Sequence, residues 1–153
     1  MSKAAKPMTI AGEITIPYDY STGVAGTRFF TELRDNGRIM GTKCAKCGRV
    51  MVPPRMFCEE CFIDDVEWVE VGKTGVIQTF AESYLDTTGK RLKEPWMLGI
   101  IKLDNSDGGL IHYLGEAKPE DLKIGMKVEA VLKPKEEREG NLSDIKYFRP
   151  IKE

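Results

Sequence analysis

Apolar positions recur with different periods in different parts of the chain. Phe29, Phe30 and Leu33 fall on one face of a short predicted helix, with Thr27 placed to cap its start and Asn36-Gly37 to close it. Gly23 and Gly26 are expected to break the chain ahead of that helix. Upstream, the pattern predicts a basic polar tail over 1–7 and an extended arm over 10–16, where apolar and polar residues alternate. Beyond Gly72 the period becomes that of strands separated by turn residues, with candidates at 75–82, 96–103, 109–115, 126–132 and 142–148. The fourth shows it most clearly, because Met126, Val128, Ala130 and Leu132 alternate with Lys127, Glu129, Val131 and Lys133. Pro119-Glu120-Asp121-Leu122 reads as a single helical turn, with proline at its start and acids beside the positive helix end. Five strands with a helical turn between the third and fourth predict a five-stranded OB-like barrel, and the charged stretches 86–95, 105–109 and 133–141 read as its rim loops. There is no internal repeat and no Gly-rich phosphate loop.

The stretch between helix and barrel has neither period and holds all four cysteines, as Cys44-Ala45-Lys46-Cys47 and Cys58-Glu59-Glu60-Cys61. A two-residue gap lets both sulfurs of a pair turn toward one ion, and two such knuckles supply the thiolates of a tetrahedral structural zinc at about 2.3 Å, with no position left open. Iron fits the same four-thiolate cage, and ligand type alone does not separate the two metals. Disulfides need an oxidising compartment, but the first ten residues lack a long apolar core and no stretch could span a bilayer, so a cytoplasmic protein that does not use a membrane is expected. The fold expected is mainly β: an N-terminal arm and helix over 1–38, a four-cysteine zinc ribbon over 39–70 and an OB-fold domain over 71–153.

Charge narrows the partners. Lys and Arg number 23 against 24 Asp and Glu, for a net charge of −1, which leaves no global field to hold a polyanion. Locally the ribbon is dipolar: Arg34, Arg38, Lys43, Lys46, Arg49 and Arg55 precede Glu59, Glu60, Asp64, Asp65, Glu67 and Glu70. Some of those cations are expected to offset the excess negative charge of a four-thiolate zinc centre. OB folds and zinc ribbons also serve single-stranded nucleic acids, and Phe80, Tyr84, Trp96, Tyr113, Tyr147 and Phe148 could stack bases. A phosphate-tracking groove needs a run of cations, however, and residues 72–153 mix both signs throughout, so this is an alternative reading only.

Several features occur together: the short helix, Gly37-Arg38-Ile39-Met40-Gly41-Thr42-Lys43-Cys44-Ala45-Lys46-Cys47-Gly48-Arg49, Pro53-Pro54-Arg55 before the second knuckle, Glu67-Trp68, and an OB-like C-terminal half. Together they resemble the zinc-ribbon plus OB-fold proteins associated with acyl-CoA metabolism. The resemblance covers most of the chain. It implies the small accessory subunit of a thiolase-like enzyme, found in archaeal acetoacetyl-CoA and hydroxymethylglutaryl-CoA formation, in steroid side-chain retro-aldol cleavage and in the benzoylsuccinyl-CoA thiolase of anaerobic toluene breakdown. The arm Ile16-Pro17-Tyr18-Asp19-Tyr20-Ser21 resembles the thiolase-partner members, and the benzoylsuccinyl-CoA setting is the leading specific expectation, with the archaeal complex as alternative. One departure stands in the second knuckle: where many members carry proline after the first cysteine and glycine after the second, this chain has Glu59 and Phe62.

No catalytic residues are expected here. Thiolytic chemistry needs a free nucleophilic cysteine and a base, but the thiols are assigned to metal and His112 is the only histidine, set in a strand where a hydrogen-bonded structural role is expected. Asp104, Asp107, Glu116, Glu120 and Asp121 fall in turns and caps. Chemistry is therefore expected on a thiolase-like partner, in a hetro-oligomer with two copies of each chain. Lys46, Arg49 and Arg55, beside the Pro53-Pro54 tip, are candidates to meet coenzyme A phosphates. Phe29, Phe30, Met51, Met56 and Phe57 are candidate apolar anchors for the partner, or else the closure of the chain's own core.

Overall fold

The computed structural model describes residues 8–10, 12, 16–17 and 19–151; the predicted basic tail over 1–7, residues 11 and 13–15 of the predicted arm, and residue 18 lie outside them. Helix α1 spans Gly23–Asn36, so it begins four residues before the predicted cap at Thr27. The glycines expected to break the chain sit in its first turn, where backbone N–H groups have no intrahelical acceptor to lose. Gly23 N–H donates to Ser21 Oγ at 3.1 Å, while Thr27 Oγ1 lies 3.0 Å from Thr22 Oγ1. The predicted end is found: Gly37 takes the left-handed conformation (φ 61°), and its N–H reaches back to Leu33 O at 3.1 Å.

Two sheets follow. The ribbon sheet has the order β2-β1-β3, from β1 (Met40–Cys44), β2 (Val50–Met51) and β3 (Val66–Glu70). The second sheet comprises β4 (Thr74–Leu85), β5 (Arg91–Leu103), β6 (Gly109–Tyr113), β7 (Lys127–Leu132) and β8 (Ile145–Pro150), in the order β6-β5-β4-β7-β8. All its ladders are antiparallel, and a single parallel bridge, Leu114 to Phe148, joins the two outer strands. This is the predicted five-stranded OB-like arrangement, with the predicted helical turn present at Pro119–Asp121.

The strand boundaries differ from the sequence pattern by up to five residues, and two of the differences have a local cause. Half of the predicted loop 86–95 is strand: Arg91–Leu103 is continuous, and the turn is confined to the residues from Asp86 to Lys90, where the Asp86 carboxylate accepts from the N–H groups of Thr88 and Lys90. A hairpin exposed on both faces needs no apolar alternation, so its charged residues hid it. The last strand starts at Ile145 instead of 142, because Asn141 and Asp144 form a reciprocal cap around the 3-10 turn Leu142–Asp144.

One apolar core joins helix and barrel. Phe29 and Leu33 of α1 pack in the same cluster as Ile39, Val71, Ile77, Ile101, Leu103, Val128, Ile145 and Phe148. A smaller cluster closes the ribbon around Cys44, Met51 and Cys58. Phe29 and Met51 are thus core residues and not partner anchors, whereas Met56 and Phe57 are exposed. The ribbon is fixed to the barrel through the loop after β5. Asp107 N–H donates to Val50 O at 2.9 Å, its carboxylate accepts from Val50 N–H at 2.9 Å, and a Cβ on Gly108 would meet Val52 O at 2.5 Å. Arg28 of α1 adds a cation–π contact, 4.5 Å from the Trp68 ring.

Candidate metal centre

Cys44 ends β1, Cys47 lies on the tight turn into β2, and Cys58 and Cys61 lie on a second turn before β3. Each turn folds its cysteine pair inward by the same means: Gly48 N–H donates to Cys44 O at 2.9 Å, and Phe62 N–H donates to Cys58 O at 2.8 Å. The four Sγ atoms lie within 4.8 Å of one another. A tetrahedral centre with metal–sulfur arms of about 2.3 Å has edges of about 3.8 Å, and the Cys47–Cys58 Sγ separation is 3.8 Å. The residues fit a closed four-thiolate ion.

Their acidities point the same way. The Cys44 thiol is drawn down to about 7, first by the Cys47 backbone N–H and further by that of Lys46, while burial opposes. The Cys61 thiol is pushed up to about 12 by burial first, then by the thiols of Cys47 and Cys44. A divalent ion takes its sulfurs as thiolates and displaces their protons on binding, so acid works against loading.

The two knuckles differ at the residue after the second cysteine. Gly48 takes φ 74°, and the corresponding Phe62 takes φ 56° with its side chain 79% exposed. A left-handed conformation costs a residue with a Cβ about 1–2 kcal/mol, and little burial offsets it here. Among the described residues its one aromatic contact is edge-on to Phe57, at 6.1 Å between ring centroids. Phe62→Gly should therefore raise the stability of the isolated chain by about 1 kcal/mol with its metal content unchanged. Urea unfolding checks this, and a destabilised variant would show that the phenyl ring supports the knuckle.

The basic tip is not free of partners. Arg49 Nη1 lies 2.8 Å from a Glu60 carboxylate oxygen and 3.7 Å from one of Glu59, and Arg55 pairs with Glu59; Lys46 is exposed. The cations thus tie the first knuckle to the acids of the second, through exposed pairs worth roughly 0–1 kcal/mol each. A ligand phosphate at this tip would exchange with those carboxylates.

His112 is buried on β6. Its Nδ1 accepts from Tyr113 N–H at 2.9 Å, which leaves Nε2 as the donor to Leu142 O at 3.2 Å, and burial holds its pKa below the usual imidazole value. It is a neutral, doubly bonded strand residue. Asp107 clamps the ribbon, Asp104 accepts from Thr74 Oγ1 at 2.5 Å, and Glu116 pairs with Arg149. Among the candidate stacking aromatics, Phe148 is fully buried and Phe80 packs against the core, so these two are not available to stack on bases.

Thr42 carried no sequence signal. It is fully buried on β1; its Oγ1 donates to Arg55 O at 2.7 Å and accepts from Arg55 N–H at 2.9 Å, which pins the chain after Pro53-Pro54. Only the pairing of distant segments puts it there.

Comparison with known proteins matches the same two parts. The model of the ChsH2 rubredoxin-like zinc ribbon domain matches residues 31–67, and that of the ChsH2 C-terminal OB-fold domain matches residues 68–133. The chain is 27% identical over 127 residues to a DUF35 domain-containing scaffold protein of Methanocaldococcus jannaschii, covering 81% of this chain and 89% of the relative. It is 28% identical over 65 residues to the benzoylsuccinyl-CoA thiolase subunit BbsA of Thauera aromatica, covering 42% and 44%. Among solved structures, a DUF35 protein of unknown function from Sulfolobus solfataricus superposes with a TM-score of 0.60 at 35% identity, covering 72% of this chain and 79% of that one. The Ltp2-ChsH2(DUF35) aldolase shares the fold, with a TM-score of 0.59 at 22% identity over 81% and 93%.

Proposed function

Since the chain belongs to the DUF35 family, we propose that it is a non-catalytic zinc-ribbon/OB-fold subunit that binds a thiolase-like enzyme and helps to form or gate that enzyme's acyl-CoA site. The observation that carries this reading is the closed four-thiolate ribbon, clamped to the barrel by Asp107, with Met56, Phe57 and Phe62 turned to solvent. Four thiolates leave an ion no open position, so bound zinc supplies structure and no Lewis-acid step. With every thiol in that cluster and both His112 nitrogens engaged, chemistry falls to the partner. The similarity to scaffold proteins and to BbsA supports an accessory role; the sequence resemblance makes benzoylsuccinyl-CoA thiolase the leading setting, with the archaeal acetoacetyl-CoA complex as the alternative. No helix among the described residues is long and apolar enough to cross a membrane. We place the chain in the cytoplasm, as two copies with two of the partner, with the ribbon over 39–70 and the OB domain over 71–153.

Tagged chain should co-purify a thiolase-like enzyme that is impaired alone and restored on adding this chain, while the chain alone turns over no acyl-CoA. Turnover by the repurified chain alone would overturn the reading. Within it, Lys46, Arg49 and Arg55 meet coenzyme A phosphates. Arg49→Ala or Arg55→Ala should then weaken CoA-thioester binding to the complex by about 1.5–3 kcal/mol, with dephospho-CoA insensitive where the 3'-phosphate is the group met. Unchanged affinity for both ligands removes the CoA role and leaves the arginines as braces between the knuckles.

A further inference from the structure

We infer that the seam between β6 and β8 is the docking groove for an extended, apolar segment of the partner enzyme that carries a carboxylate at one end. This rests on the subunit role proposed above and names the surface through which it acts. In the OB barrel β6 pairs with β5 on one edge, while on the other no strand ladder joins it to β8: the two meet through the His112–Phe148 ring contact and, just past the end of β6, the isolated Leu114–Phe148 bridge. Among the described residues no strand pairs with the outer edge of Gly109–Tyr113. Its side chains alternate, with Leu110 and His112 buried beneath and Ile111 and Tyr113 pointing outward, 66% and 42% exposed. A depression of about 500 Å³ lies along this seam, walled by Ile111, Tyr113 and Leu142. It shares Ile111 and Leu142 with a second depression of about 360 Å³, which runs on to Phe30 of α1 and Pro54 of the ribbon tip.

Charge and shape together select the occupant. Lys133 and Lys146 line the first depression, and among the described residues no acidic one lines either depression. Lys133 Nζ is held 3.2 Å from Ser143 Oγ, so its charge is oriented without being neutralised. A nucleic-acid backbone would set phosphates against carbon over most of this length, whereas a strand-like peptide presents alternate side chains to such a furrow and its N–H and C=O groups to an open strand edge. The carboxylate meets the two lysines. The wall that carries Leu142 is preformed, since the adjacent Asp144 carboxylate fastens the backbone of that loop.

The groove is tested on the full-length, zinc-loaded, 15N-labelled chain with three acetylated hexapeptides: alternating Val-Thr with a terminal Asp, the same with a terminal Lys, and an all-Thr peptide with a terminal Asp. The first should shift the amides of Ile111, Tyr113, Ser143 and Lys146, and should bind roughly fivefold tighter than the second, the ratio of about one exposed ion pair. The third should not bind. A K133E/K146E chain should invert the preference. Shifts elsewhere, no shifts at millimolar peptide, or equal binding of the Asp and Lys peptides would overturn the groove. Should the wild-type chain capture no thiolase-like enzyme, the proposed subunit role fails while the peptide titration still decides the groove. Should an I111K chain with wild-type zinc content hold that enzyme at wild-type affinity, the groove fails and the subunit role stands.

Discussion

Cys58→Ser should empty the ribbon, lowering bound zinc from about one ion per chain to a small fraction, and should unfold the ribbon while the barrel persists. Cys58 is fully buried, its Sγ is 3.8 Å from that of Cys47, and its backbone is paired to Ile63 and Phe62 at 2.8 Å each. A serine hydroxyl does not ionise near neutral pH, so it forfeits the ligand and leaves an open edge to water. Structural zinc contributes about 10–16 kcal/mol to small four-ligand sites, far more than the few residues of the ribbon core supply, so losing one thiolate removes most of what orders this segment. The barrel core around Ile77, Ile101 and Phe148 lies mostly outside the ribbon but includes its Ile39 and Val52, so the barrel should persist with a lowered unfolding temperature. Metal analysis with calorimetry checks both halves: full zinc content with an unchanged unfolding curve would show that the ligands are wrongly assigned.

Asp144→Ala should cost about 3 kcal/mol, the largest loss expected from a polar side chain outside the ribbon. The Asp144 carboxylate is fully buried and accepts from the N–H groups of Glu139 at 2.9 Å, Gly140 at 2.8 Å and Asn141 at 3.3 Å. Alanine leaves those donors without an acceptor in a place water reaches poorly, and each such orphan costs about 1–3 kcal/mol before the loop relaxes. The effect spreads to the helix, because the same loop presents Arg138, which donates to Lys133 O at 2.8 Å and to Arg34 O at 3.4 Å at the end of α1. At about 2–4 °C per kcal/mol for a chain of this size, the unfolding temperature should fall by roughly 6–12 °C. Asp144→Asn keeps one acceptor oxygen and should fall between. A loss below about 1 kcal/mol in urea unfolding would mean that the loop orders itself without the carboxylate.

Sequence alone was sufficient where the physics is local. Two cysteine pairs at knuckle spacing imply a shared ion whatever surrounds them, because the short gap forces both sulfurs of a pair to one side. Asn36-Gly37 marked a helix end because a residue without Cβ enters the left-handed region at little cost, and the period-two stretches after Gly72 marked five strands. Where several local signals competed, only tertiary structure decided. Gly23 and Gly26 looked like breakers but lie in a first turn that tolerates them, and Arg91-Leu92-Lys93-Glu94 looked like loop but forms a hairpin exposed on both faces. The partners of Thr42, Asp107 and Asp144 depend on which distant backbone groups the fold sets beside them, as in the 57-residue separation between Val50 and Asp107. The open seam beside β6 is likewise a property of strand order, since the residues that line it come from β5, β6, β8 and the loop before β8, and each segment alone reads as ordinary half-buried strand or turn.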